Sequence, residues 1–423
     1  MESFITPLNP GGQEEIYTRA VRQVFQIEAI TTGSSLPRKR AALAYNPATG
    51  APAEFLVRYT GHLFGESEDA FNRLTSLLAG TPAMPIFRLE NGQQVVYLIS
   101  SDAIPQHGRS NPWINLLLFV LTLASVIFTG GMNNLQSMPA DPMQIVLAFI
   151  SAGWPFALSM LGILAVHEFG HYIAGRLHGL DVSLPYFIPF PLSIMGTMGA
   201  FINMRSIPKN RNHLLDVGVA GPLAGLVVSI LVLWVGLKTS PLGALPVLAA
   251  GGAGSSIQLE GNSILYLLMK FLTFGRLLPQ PASYAGVPVI LYWLRYFFTS
   301  LPLPSGGTDV TLNGVAWAGW CGLLVTALNL MPAGQLDGGH ISYILFGRKW
   351  MRRLFPVLLG ITILLGLIWS GWWLWTLLLY FFGRYYAEPL DQITQLTPLR
   401  RLLGFVAIGV FILTFIPVPL NIF

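Results

Sequence analysis

The stretch Ala157-Leu-Ser-Met-Leu-Gly-Ile-Leu-Ala-Val-His-Glu-Phe-Gly-His-Tyr-Ile-Ala-Gly-Arg176 decides the fold. Its first half is uncharged and apolar enough to lie in hydrocarbon, yet it runs straight into two histidines and a glutamate. Ionisable groups at such depth are expensive and are kept for a use. Spacing by four residues puts His167 and His171 on one helix face. A second string, Leu336-Asp-Gly-Gly-His340, sits in another apolar stretch and adds a carboxylate.

Composition points the same way. Mean hydropathy is +0.59, with 53% hydrophobic and 10% charged residues. The 423 residues suffice for about seven to nine spans of about 20 residues each plus one small soluble domain. The net charge of +5 reflects residues flanking the membrane, and the short Arg38-Lys39-Arg40 run reads as a solvated loop. No basic block with interleaved aromatics exists elsewhere, so nucleic acid is not an expected partner. A single cysteine, Cys321, excludes an intrachain disulfide. Met1-Glu-Ser-Phe4 lacks a charged run followed by an apolar one, so no signal peptide is expected.

Residues 1–110 are mixed and polar and read as a soluble α+β domain, with 111–423 embedded in the membrane. Glu54 to Thr60 reads as a strand, and Ser67 to Leu78 as a helix opened by its serine. Pro85 to Leu89 and Gln94 to Ile99 form a hairpin around Asn91-Gly92, and Gln106 to Asn111 is a linker. Trp113 to Gly130 is the first span. Met143 to Leu177 is expected in two pieces, an interfacial or kinked one before Pro155 and a spanning helix after it. Leu184 to Met204 carries Pro185, Pro189, Pro191, Gly196 and Gly199 and cannot be a regular helix. It reads as a re-entrant loop with a strand at 199–204, allowed only where it lines a cavity.

Leu214 to Leu237 is a span whose Gly218, Gly221 and Gly225 permit a close helix contact. A Gly/Pro/Ala/Ser loop covers 239–257, and 262–300 reads as two short spans or re-entrant pieces. Val315 to Leu345 is a span broken at Pro332. Leu354 to Phe382 reads as two segments turning near Gly371, and Leu403 to Val418 is the last span. The fold class is therefore an all-α polytopic membrane protein with a small N-terminal α+β domain and a re-entrant β-like loop. Lys and Arg placement puts the N-terminus in the cytoplasm. It matches a prokaryotic inner membrane, with a plastid membrane as the other address.

Depth links the two motifs. His167 lies nine residues before Arg176 and Asp337 eleven before Arg348, about 13 and 16 Å along a helix. Half the hydrocarbon core is about 15 Å. Two His ligands leave zinc open, and a catalytic site wants a third protein ligand plus a position for water. Asp337 is the candidate, with Glu168 as general base. The plainer alternatives are satisfied buried histidines and a helix-terminal aspartate with Gly338-Gly339 as a turn. His178 reads as an exposed helix cap, and His340 could lie near the site. His213 begins a span, Cys321 reads as core, and the tryptophans at 317, 320, 369, 372, 373 and 375 read as packing or interface residues.

Val166-His-Glu-Phe-Gly-His-Tyr172 and Asn329-Leu-Met-Pro-Ala-Gly-Gln-Leu-Asp-Gly338 resemble the two signatures of the site-2 protease family of intramembrane zinc metalloproteases. Gly196 to Arg205 and Ala220 to Gly225 are most similar to the branch that includes cyanobacterial members and the plastid proteases linked to ethylene-dependent gravitropism. The resemblance implies one zinc per chain held by His167, His171 and Asp337. It also implies Glu168 as the residue that activates water and a membrane-spanning protein as substrate. Asn329 would hold substrate or the developing oxyanion, or else satisfy backbone freed by Pro332. No PDZ or cystathionine-synthase-type domain is evident. A strand at 199–204 could receive an unwound substrate by strand addition. Two other readings stay open: a prenyl-protein-type metallopeptidase, with Glu260 or Glu388 as third ligand, and a non-catalytic metal-binding transporter or chaperone.

Overall fold

A computed structural model describes residues 10–32, 55–100, 111–135, 140–245 and 258–422. The Met1–Phe4 start, the Arg38–Arg40 run, most of the 106–111 linker and much of the 239–257 loop lie outside them. The chain divides into two units. One gathers Met1–Arg109, Arg205–Leu214 and Glu388–Thr397, and the other holds the remainder.

The first unit contains α1 (Pro10–Arg22), β1 (Phe25–Thr32), β2 (Phe55–Leu63), α2 (Ser67–Leu77), β3 (Ala83–Glu90) and β4 (Gln93–Ser100). Its strands form an antiparallel sheet in the order β1-β2-β4-β3. The expected hairpin turns at Asn91 and Gly92, both with positive φ (52° and 85°), as a two-residue turn of matching twist requires. Tyr17, Val21, Phe71 and Leu74 from the helices pack with Tyr59, Phe87 and Val95 of the sheet in one core.

Ser67 does not cap α2, contrary to the sequence reading. The cap position is Glu66, without a side-chain bond, and the Ser67 hydroxyl donates instead to Asp391 at 2.8 Å. The segment around Asp391 extends the free edge of β3. Phe87 N–H donates to Leu390 O, and Gln392 N–H donates back to Phe87 O. Buried Arg88 reaches the carbonyls of Phe87, Pro389 and Leu390 at 2.8–3.0 Å. Fully buried Asp391 also accepts the N–H groups of Ile393 and Thr394 and the Thr394 hydroxyl.

The second unit begins with α3 (Pro112–Asn134) and α4 (Pro142–Leu177), each opened by an Asx-Pro pair. The Asn111 side chain accepts Trp113 N–H, and that of Asp141 accepts Met143 N–H. Then follow β5 (Tyr186–Pro189), β6 (Thr197–Phe201), α5 (Arg211–Lys238), β7 (Leu242–Leu245), β8 (Gln258–Glu260), α6 (Ile264–Phe274), β9 (Gln280–Pro281), α7 (Val289–Thr299) and β10 (Gly307–Val310). The unit ends with α8 (Gly314–Asn329), α9 (Asp337–Ile368), α10 (Gly371–Phe382), α11 (Pro398–Thr414) and β11 (Leu420–Ile422). Among the described residues, α3, α4, α5 and α9 are long and apolar enough to cross a membrane.

Three expectations are corrected. The stretch expected in two pieces is one continuous helix, Pro142–Leu177, of 36 residues with Pro155 inside it, about 54 Å long. Close packing on α3 accompanies that continuity: a Cβ at Gly153 would lie 2.1 Å from Ile127 O. The 262–300 region holds α6 and α7, of 11 residues each. At about 16 Å apiece neither can span, and they accompany small sheets ordered β7-β10-β9 and β8-β11. Lys270, at 0% exposure, lies between Glu260 (3.1 Å) and Asp309 (3.4 Å), so its charge is paired rather than carried through lipid. The membrane portion is thus not purely α.

Elsewhere the expected interruptions appear. The 184–204 stretch is an antiparallel β5–β6 hairpin with Phe187 opposite Ala200, its second strand beginning two residues earlier than read. The break at Pro332 separates α8 from α9, and α9 bends sharply at Gly347 (φ 78°). For the first unit we expect Asp391→Ala to cost about 3 kcal/mol or more, because several buried donors lose a charged acceptor. Faster amide exchange in β3 and β4 of the full chain checks this, and unchanged exchange refutes it.

Candidate metal centre

Three elements bring the site together. α4 carries His167, Glu168 and His171, exposed by only 3%, 5% and 7%. α8 ends on Asn329, and α9 begins on Asp337. His167 Nε2 lies 3.2 Å from His171 Nε2, and Asp337 Oδ2 lies 3.5 and 3.3 Å from these two nitrogens. The Asn329 amide nitrogen is 3.2 Å from His167 Nε2.

Local chemistry aims these atoms. His171 Nδ1–H donates to Val217 O at 2.7 Å, which leaves the Nε2 lone pair pointing inward. That carbonyl belongs to α5, which approaches through its glycines. A Cβ at Gly221 would sit 2.1 Å from His171 Nε2, and one at Gly225 3.0 Å from His167 Nδ1. Gly170 of α4 answers with a Cβ position 2.7 Å from Ala220 O. Asp337 stands in the first turn of α9, where free N–H groups and the helix dipole favour a carboxylate. Gly338 and Gly339 are helical rather than a turn. Their missing side chains admit the backbone at Leu330 and Gly334, as close as 1.9 and 2.3 Å to the built Cβ positions.

The donor set suits zinc. Three ligands about 2.05 Å from a tetrahedral ion stand about 3.3 Å apart, and the observed separations are 3.2–3.5 Å. Two imidazole nitrogens and a carboxylate oxygen converging without a cation would set lone pairs against one another. Among the described residues this is the one group of three or more His, Cys, Asp or Glu side chains arranged to hold a metal. Glu168 lies beside the hairpin, near Ile202.

Other candidates lie apart from this convergence. His178 occupies the C-cap of α4 as expected, but its ring is half-buried and pairs with Asp216 at 2.9 Å, whose carboxylate Arg400 also grips. His213 approaches Glu68 at 3.9 Å in the first unit. Glu260 is bound by Lys270 and Tyr266, and Glu388 by Gln392 and Arg88, so neither acts as the third ligand of a prenyl-type site. His340 is buried one turn beyond Asp337 with Nδ1 unbonded, and Cys321 is core. Trp320 and Trp372 are packing residues, bonding Gly261 O and Pro417 O. The orienting Val217 carbonyl is a backbone group, so no residue type announced it. Gly221 and Gly225 were legible as a close contact, though not as the wall behind the histidines.

Gly221→Ala is expected to push the His171 ring aside and weaken metal retention by at least about tenfold. Gly218→Ala, whose Cβ meets nothing closer than 3.5 Å, should bind normally. Metal content of the purified variants decides, and equal content in both refutes the packing argument.

Comparison with known proteins adds the family. The chain is 28% identical to the probable zinc metalloprotease EGY1, chloroplastic, of Arabidopsis thaliana, over 86% of this chain and 66% of that protein. It is 28% identical to the rice (japonica) protein of the same name, over 85% and 62%. It is 27% identical to the probable zinc metalloprotease EGY2, chloroplastic, of Arabidopsis, over 87% and 61%. The chain thus spans just under two thirds of the length of these relatives. Residues 155–368, which include every atom of the convergence described above, match the model of peptidase family M50, and the chain belongs to that family.

Proposed function

We propose that this chain is an intramembrane zinc endopeptidase that hydrolyses a peptide bond in or next to a transmembrane segment of a membrane protein. The observation that carries the reading is the convergence of His167, His171 and Asp337 at 3.2–3.5 Å among apolar helices. In this reading those three residues hold one zinc ion per chain. Bound there, zinc supplies Lewis acidity to a peptide carbonyl and makes water a nucleophile near neutral pH.

The chain's own groups do the rest. Val217 O fixes the His171 ring. Glu168 takes a proton from the attacking water and delivers it to the leaving amine. The Asn329 amide, on the same side as His167, donates to the carbonyl oxygen as it gains charge. A helical substrate must unwind first, and β6 offers an unpaired edge beside Glu168 for the extended segment.

The broader architecture follows from the same reading. Residues 1–110 form a soluble cytoplasmic domain, and 111–423 the membrane-embedded protease. The spans number seven, the lower end of the range expected from sequence: α3, α4, α5, α8 continued by the first part of α9, the rest of α9, α10 with its flanking residues completing a crossing that its 12 helical residues do not make alone, and α11. The β8–β11 pairing supports that odd count, because it joins the loop after α5 to the end of the chain. The N-terminus lies in the cytoplasm of a prokaryotic cell, and the chloroplastic names of the relatives make a plastid membrane the alternative address.

Cleavage of a single-span protein substrate in detergent, lost on chelation and restored by zinc, tests the activity. Glu168→Gln should keep its zinc while turnover falls about 10²–10⁴-fold. Asp337→Ala should lose both. Full activity in Glu168→Gln overturns the assignment.

A further inference from the structure

The β5–β6 hairpin has more acceptors than donors. Pro185, Pro189 and Pro191 bring carbonyls without N–H groups, and in hydrocarbon no water makes up the difference. One face of α3 supplies it. Asn115 Nδ2 donates to Leu184 O and Pro185 O at 3.0 and 2.9 Å. Ser125 Oγ donates to Gly196 O at 2.6 Å. The Thr129 hydroxyl lies 3.3 Å from Pro191 O and 3.1 Å from Ser125 O.

All three side chains are buried, at 6–7% exposure. On the same stripe Phe119 meets Phe187 edge to face at 5.2 Å. Gly196, at φ +72°, lies so close that a Cβ would be 2.7 Å from Val126 Cα. At the other end of the hairpin Ile202 lies near Glu168.

We propose that Asn115, Ser125 and Thr129 are positioning residues for the hydrolytic site. They fix the hairpin, and through it the edge that receives substrate beside Glu168. α3 itself carries no ligand or catalytic group. The proposal rests on the protease reading above and extends it to a helix outside the chemistry.

The test uses the full chain in detergent. Ser125→Ala/Thr129→Val removes both hydroxyls with little loss of volume. Faster amide exchange is expected over 186–202, zinc content should be unchanged, and KM should rise about tenfold or more with kcat changed less than about threefold. Thr129→Ser, which keeps a hydroxyl, should behave as wild type. So should Thr122→Val, whose hydroxyl bonds only Leu118 O of its own helix. Unchanged exchange in the double variant, or faster exchange with unchanged KM, overturns the proposal. A wild-type chain that cleaves no single-span substrate defeats the protease reading instead. The exchange measurement then decides by itself whether α3 holds the hairpin.

Discussion

The contact between α4 and α5 governs the site. Gly221 and Gly225 remove the side chains that would otherwise hold α5 away, and the α5 backbone comes to rest against the two imidazoles. That approach puts Val217 O within 2.7 Å of His171 Nδ1, and a carbonyl at such a place fixes both the tautomer and the ring angle. Gly170 makes the closeness mutual, since a methyl there would strike Ala220 O. Without this interface His171 would have neither a wall nor an orienting partner. The 3.3 Å approach of its Nε2 to Asp337 would then have no support.

A second constraint follows from the solvent. Irregular backbone in hydrocarbon must find its partners within the protein, and both interruptions beside the site do so. The hairpin at 186–201 has α3 behind it. The break between α8 and α9 folds back on Gly338 and Gly339, whose bare backbones admit it. The same break exposes the N–H groups that begin α9, and Asp337 stands there as the natural counter-charge. Two demands that are costly when separate, free helix-terminal donors and a half-buried carboxylate, are met in one turn.

The features legible in the sequence were those whose signal is a residue type at a fixed spacing. The four-residue step of His167 and His171, the glycine steps of α5, the Asn91-Gly92 turn and the Pro332 break all belong to this class. Expectations failed where the outcome depends on a distant neighbour. Pro155 looked like a boundary, yet α3 packs along that length of α4 and the helix runs through. The apolar pieces at 262–300 read equally as short spans or re-entrant pieces, because nothing local indicates that Lys270 finds Glu260 and Asp309. Ser67 looked like a cap, although Asp391, 324 residues away, takes its hydroxyl. α1 and β1 went unread, their periodicity being weak in a polar segment. Backbone partners such as Val217 O carry no residue signature at all.

The agreement in depth between the motifs has a structural reason. Both distances were counted along helices from basic residues, the first through unbroken turns and the second broken only at its last step, at Gly347. Nine residues separate His167 from Arg176 within α4, and α9 holds its course from Asp337 until Gly347, one residue before Arg348. Had the bend at Gly347 fallen a turn earlier, the count from Arg348 would have misplaced Asp337. The other end of α4 is quite different, with 25 residues between Pro142 and His167, about 37 Å of helix. The site therefore lies nearer the C-terminal end of α4, the end that carries Arg176, than its N-terminal end.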